Sequence, residues 1–224
     1  MNDHRSAGGN HRREQNPAYG LLWPLIYGSR AFVQLPFFID KVTMQAERSR
    51  CWQTIVSQVA EEYRQLPEDE KGWIEQQLRE IASLQHELDR LFAKAGGTNA
   101  CGNCSGECCA KGHNHMTLAN LLAFLQQGEV PPAADFSRTC PFLGECGCLL
   151  GVAERPYNCI SFVCDIIENS LTSAEVDLFY QQEQKLRDLY LKFAERYVGG
   201  GLTGLLLQWQ RLAGRKFLER KPAV

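Results

Sequence analysis

Cys101-Gly102-Asn103-Cys104-Ser105-Gly106-Glu107-Cys108-Cys109 opens a segment that continues through Cys140-Pro141-Phe142-Leu143, Cys146 and Cys148. It then runs through Arg155-Pro156-Tyr157-Asn158-Cys159 and closes at Cys164. Of the chain's 10 cysteines only Cys51 lies outside this segment. Thiols at such short spacings, with glycines between them, can converge on one soft centre at little loop-closure cost. A disulfide framework is the competing reading, but it needs an oxidising compartment. The chain carries no evident export signal, so metal is preferred. Cys51, alone within a helical pattern, reads as a small buried apolar residue.

The order of these boxes resembles the YkgJ-type cysteine-cluster family, a zinc- or iron-chelating domain. That family has an opening cysteine group ending in Cys-Cys, a Cys-Pro-Phe-Leu box, and a cysteine ahead of an Arg-Pro-x-x-Cys box. Here the features fall on Cys101, Cys104, Cys108 and Cys109, on Cys140 to Leu143, on Cys148, and on Arg155, Pro156 and Cys159. The resemblance covers the middle third of the chain and implies these seven cysteines as metal ligands. One departure is that Cys148-Leu149-Leu150-Gly151-Val152 replaces the family's Cys-x-Ile-Tyr-Glu, which leaves Cys146 and Cys148 as alternatives. The flagellin lysine methylase, similar by the same cysteine signature, implies an iron–sulfur cluster of 4Fe–4S type. Zinc is the alternative cofactor that the family description carries.

One cluster or one structural zinc takes four protein ligands, so the cysteines exceed a single site. Cys146 and Cys164 are extra to the family pattern. The neighbours Cys108 and Cys109 point in different directions, so one is expected to pack or to serve a second centre. Arg155 either donates hydrogen bonds to cluster sulfurs, as a cofactor-binding residue, or to a backbone carbonyl, or else forms a surface ion pair. His113 and His115 read as exposed loop histidines, with completion of a mixed Cys/His zinc site as the sharper idea.

Outward from this core the chain reads as helical, which predicts a mostly α fold. A helical hairpin and C-terminal helices would hold a loop-rich cysteine core. The expected division is a disordered tail over 1–18, an aromatic arm and helical hairpin over 19–98, the core over 99–168, and C-terminal helices over 169–224. Arg12-Arg13 ahead of an apolar run invites a twin-arginine reading, but Glu14, Pro24 and Arg30 interrupt the pattern.

From Asp40 a helix is predicted, with Val42, Ile55, Val56, Val59, Ala60 and Tyr63 on its apolar face, stopped by Pro67. A second starts near Glu68 and Asp69, carries Trp73, Ile74, Leu78, Ile81, Leu84, Leu88 and Leu91, and ends at Gly96-Gly97. A short helix is capped by Thr117 and ends at Gly128. A third long helix begins at Thr172 or Ser173 with Glu175 closing a capping box. Gly199 to Gly201 form a hinge or cap. A last helix from Thr203 carries Leu206, Trp209, Leu212 and Phe217 into a basic tail, Arg215 to Lys221.

Lys+Arg number 24 against Asp+Glu 26, so no basic excess points to nucleic acid. No run of about 18 apolar residues exists, so no membrane span is expected. These features place the chain in the cytoplasm, with a protein or small-molecule partner of unknown kind and an unknown oligomeric state. No phosphate loop, nucleophile elbow or His-Glu-x-x-His helix appears. Catalytic residues are therefore unassigned, and redox or transferase-like enzyme, electron carrier and structural module stay open.

Overall fold

The computed structural model describes residues 41–102, 112–145 and 147–222. The predicted tail and aromatic arm, together with Cys104, Cys108, Cys109 and Cys146, lie outside the described residues. The fold is mostly α-helical. Helix α1 spans Lys41–Arg64, α2 Glu68–Lys94, α3 Gly97–Gly102 and α4 Leu118–Leu125. A two-residue antiparallel ribbon pairs β1, Leu143–Gly144, with β2, Gly147–Cys148. A 3-10 turn at Val152–Glu154 leads to α5, Tyr157–Ser161, and α6, Asp165–Glu168. Helices α7, Ser173–Arg196, and α8, Leu205–Leu212, follow. Among the described residues no helix is long and apolar enough to cross a membrane.

The element ends follow local chemistry. Pro67 stands at the N-cap of α2, and Glu68, Asp69 and Glu70 fill its first turn, where the helix dipole favours acids. Gly96 ends that helix with φ of 76°, a left-handed geometry that glycine adopts without steric cost. Thr172 and Glu175 form the predicted capping box, with Thr172 N donating to Glu175 Oε2 at 2.9 Å.

Helix α2 lies along α7, while α1 packs on α8 and α4. The reason lies in the side chains that α2 presents. Trp73 sets its edge on Phe193 and Tyr197, at ring separations of 5.1 and 6.0 Å, and the Arg196 guanidinium sits 4.3 Å above it. Burial on α1 begins only at Trp52, continues through Ile55 and Val59, and leaves Val42, expected on the apolar face, 72% exposed. α4 is the innermost element, with Leu118 to Phe124 buried on every side.

The C-terminal region corrects three expectations. α8 starts at Leu205 and ends at Leu212, because Ala213 and Gly214 turn left-handed with φ of 49° and 91°. Phe217 is therefore not helical. It is fully buried in a turn of the returning C-terminal segment and stacks on Trp209 at 6.2 Å. That segment meets the chain leaving α7 through an isolated bridge between Tyr197 and Arg220: Val198 N donates to Glu219 O, Gly199 N to Phe217 O, and Lys221 N to Arg196 O. The glycines at 199 and 200 are no hinge. A Cβ on Gly200 would come 1.9 Å from Phe193 O, so close backbone approach requires glycine there. The basic tail does not cap its own helix. Arg215 pairs with Glu219 at 2.7 Å, Arg220 with Glu70, and Lys221 Nζ donates to Ala194 O in the last turn of α7.

Gly204 ties the C-terminal helices to the turn carrying the two loop histidines. Its missing side chain would place a Cβ 1.9 Å from Asn114 O, and next to it Leu205 N donates to Met116 O at 2.7 Å. Gly204→Ala is expected to destabilise the protein by about 3 kcal/mol, the upper part of the overpacking range. Urea unfolding checks this, and a midpoint equal to the parent's would contradict the contact.

Candidate metal centre

The loop bearing Cys140 is held by apolar anchors on either side. Phe142 is buried with its ring on Trp52 at 5.7 Å, and Phe136 is buried against His113 at 5.5 Å. Asp135 accepts from Ser137 and Arg138, while Arg138 donates to Leu143 O at 3.0 Å, so the loop closes on itself. Cys140 is half-buried. Burial pushes its thiol up, the Phe142 N–H pulls it down, and a charged Cys148 across the ribbon pushes it up again. Cys148 stands opposite Leu143 in the ribbon and is exposed.

Gly112 follows the opening cysteine group and lies directly against Cys140, where a Cβ would meet Sγ at 2.7 Å. Residues 112–115 make one helical turn, with His115 N donating to Gly112 O at 3.2 Å. At the other end of that turn, His115 Nδ1 is 3.4 Å from Cys159 Sγ. Cys140 and Cys159 thus flank a single turn. Cys101 lies in α3, which packs against α6, and Cys164 is the N-cap residue of α6. Cys140, Cys148 and Cys164 are thiols rather than disulfide sulfurs. Cys51 is also a thiol, half-buried against the core and raised by burial and by Glu47.

The two histidines have different surroundings. His113 is held on both sides: Arg48 donates to Nδ1 at 2.7 Å, and Nε2 donates to the carbonyl of Arg138 at 2.7 Å. It serves the fold. His115 faces Cys159. Arg155 forms an ion pair with Asp89 at 3.1 Å and donates Nε to the backbone carbonyl of Leu150 at 3.4 Å, so an ion pair and a carbonyl contact from its expected partners are both present.

A polar clamp behind the Arg-Pro box had no place in the sequence reading. Asn120 Nδ2 donates to the carbonyl of Arg155 at 3.0 Å and to Tyr190 Oη at 2.9 Å, and Gln85 Nε2 donates to the same carbonyl at 2.6 Å. Asn120 Oδ1 in turn accepts from Thr117 N and Oγ1. Gln85, Thr117, Asn120 and Tyr190 are all buried. Buried amides are tolerated when their donors are satisfied, and here that requirement fixes the loop leading to Cys159 on α2, α4 and α7. Burial pushes the Tyr190 hydroxyl well up, with a charged Cys159 adding to it, so the phenol stays neutral. One signal was available: Asn120 is the single polar residue in Leu118–Leu125, and Gln85 sits on the apolar stripe between Ile81 and Leu88.

Asn120→Ala removes the closer donor to the buried Tyr190 Oη and the acceptor of the buried Thr117 N and Oγ1. The expected loss is about 2 kcal/mol, by the cost of leaving buried polar groups unpaired. Chemical denaturation measures it. A change within about 0.5 kcal/mol of the parent, as at ordinary surface sites, would show that the clamp does not hold the loop.

Among the described residues no three of His, Cys, Asp or Glu converge on one point. The donors that the structure gathers are soft thiols and one imidazole, a set suited to zinc or to an iron–sulfur cluster rather than to magnesium or calcium. Fold and site together define a mostly helical protein that carries a cysteine-rich loop segment on buried polar supports. No protein-family model, curated protein or solved structure matches the chain.

Proposed function

We propose that this chain is a cytoplasmic metal-binding protein related to the YkgJ-type cysteine-cluster family. Its cysteine-coordinated centre is read as an iron–sulfur cluster of 4Fe–4S type with a redox or transferase-like role. The observation that carries the reading is thiol density: nine of 10 cysteines lie in one segment, where Cys140 is held against Gly112 and Cys148 lies across the ribbon from Cys140's neighbours. When bound, such a cluster would supply one-electron transfer.

The chain's own residues supply the rest. Phe136 and Phe142 anchor Cys140. Asn120, Gln85 and Tyr190 fix the loop to Cys159. The ribbon leaves Cys148 at the surface, where a partner or substrate can approach. A zinc module is the second reading, favoured by the imidazole of His115 beside Cys159. A redox titration of the visible absorption separates them. Reversible bleaching with dithionite and recovery on reoxidation is the expected result. A metal that responds to neither reagent would leave the zinc module.

A further inference from the structure

His115 and Cys159 have the spacing that one metal ion imposes. With Zn–S of about 2.3 Å and Zn–N of about 2.0 Å at tetrahedral angles, sulfur and nitrogen on one ion lie about 3.5 Å apart. The observed separation of Nδ1 and Sγ is 3.4 Å. In a 4Fe–4S cluster each iron takes one protein ligand. Two protein donors this close therefore fit a mononuclear ion. The sequence has ligands to spare, since four cysteines satisfy a cluster and nine are present in the segment.

We propose that His115 Nδ1 and Cys159 Sγ are adjacent ligands of a single zinc-class ion, in a mononuclear site separate from the cluster. This rests on the reading of the cysteines as metal ligands, not on the identity of the cluster. The geometry is built in advance of any metal. The His115 turn is pinned by Gly204 against Asn114 and by the Met116–Leu205 hydrogen bond. Cys159 is pinned through the clamped Arg155 carbonyl. His113, two residues away, is already held by Arg48 and the Arg138 carbonyl, so the site takes one histidine and not both. The other coordination positions are not assigned. On binding, Cys159 gives its proton to solvent and ligates as thiolate, which makes occupancy fall at low pH.

The test uses the full chain, purified without oxygen, with iron, zinc and acid-labile sulfide counted per chain and cobalt(II) as the spectroscopic stand-in for zinc. About one zinc per chain is expected in the parent and in His113→Ala. His115→Ala should lose that zinc at least tenfold while keeping its iron and sulfide. His115→Cys should retain it and strengthen the cobalt–thiolate absorption by one added sulfur. A plain thiol–imidazole hydrogen bond has the same length as the proposed ligand edge, and it predicts zinc content indifferent to His115. The proposal is overturned by a parent without zinc, by His115→Ala retaining zinc, or by iron and sulfide leaving together with zinc while the helical circular dichroism persists. Should His115→Ala not fold, the cobalt spectrum of His115→Cys decides: a thiolate band stronger by one sulfur supports the site, and an unchanged band or lost zinc removes it. Zinc that depends on His115 in a chain without iron and sulfide would sink the cluster reading and leave this one standing.

Discussion

Glu70→Ala is expected to destabilise the protein by about 4 kcal/mol, the range for removing one partner of a buried ion pair. The carboxylate is buried, and it accepts from Arg196 Nε at 2.9 Å, Arg196 Nη2 at 2.8 Å and Tyr197 Oη at 2.6 Å. Arg220 adds a further contact from the returning C-terminal segment, but its side chain is 57% exposed and contributes little. Removing Glu70 leaves Arg196 and the buried Tyr197 hydroxyl without their acceptor, and it unties three segments that meet there. Urea denaturation with and without the substitution gives the number, and a loss below about 1 kcal/mol would contradict the account.

The same group sets a pH dependence. Burial raises the Glu70 carboxyl, but the hydrogen bonds from Arg196 and Tyr197 and the charges of Arg196 and Arg220 outweigh it, and the net shift is downward from 4.5. Its contribution is therefore present above 4.5 and is lost as pH falls through the lowered folded value. Tyr197 moves the other way, raised by burial and by Glu70. Its contribution is complete below the ordinary tyrosine value of 10.0 and is lost as pH rises through the raised one. Stability should thus be flat between these limits, and Glu70→Ala should flatten the acid limb.

The second large effect concerns the cysteines. Changing Cys101, Cys104, Cys140 or Cys159 to Ser is expected to release metal and to destabilise the cysteine segment, because metal-binding energy at such sites is also folding energy. For comparison, structural zinc contributes about 10 kcal/mol or more in small metal-dependent domains. Cys51→Ser should keep metal and cost only about 1 kcal/mol of burial. Its side chain packs against the core on α1. Metal content and thermal unfolding, measured on the same preparations, separate the two groups. If Cys51→Ser strips the metal as thoroughly as Cys140→Ser, the partition of the cysteines is wrong.

Much of the fold was legible because its signals are local. Pro67 and the acids after it, Thr117 with Asn120, Thr172 with Glu175, and the glycines at 96 and 128 mark helix ends within a few residues. The partners of those helices were not legible. Glu70 meets Arg196 across 126 residues, and nothing in the 3.6-residue pattern of α2 distinguishes α7 from α1 as the surface it covers. The return of the C-terminal segment was missed for a related reason. Trp209, Leu212 and Phe217 fit a helical spacing closely enough to hide the left-handed turn at Ala213 and Gly214. At the candidate site, the sequence names the thiols but not what holds them. Asn120 and Gln85 read as ordinary polar residues until their carbonyl and phenol partners, 35 and 105 residues away, come into view.

The central claim is that the cysteine segment holds an iron–sulfur cluster, and iron with acid-labile sulfide in the anaerobically purified full chain tests it most directly. The account predicts a brown protein with about four irons and four sulfides per chain. Colourless protein without sulfide, unchanged after anaerobic reconstitution with iron and sulfide, would contradict it.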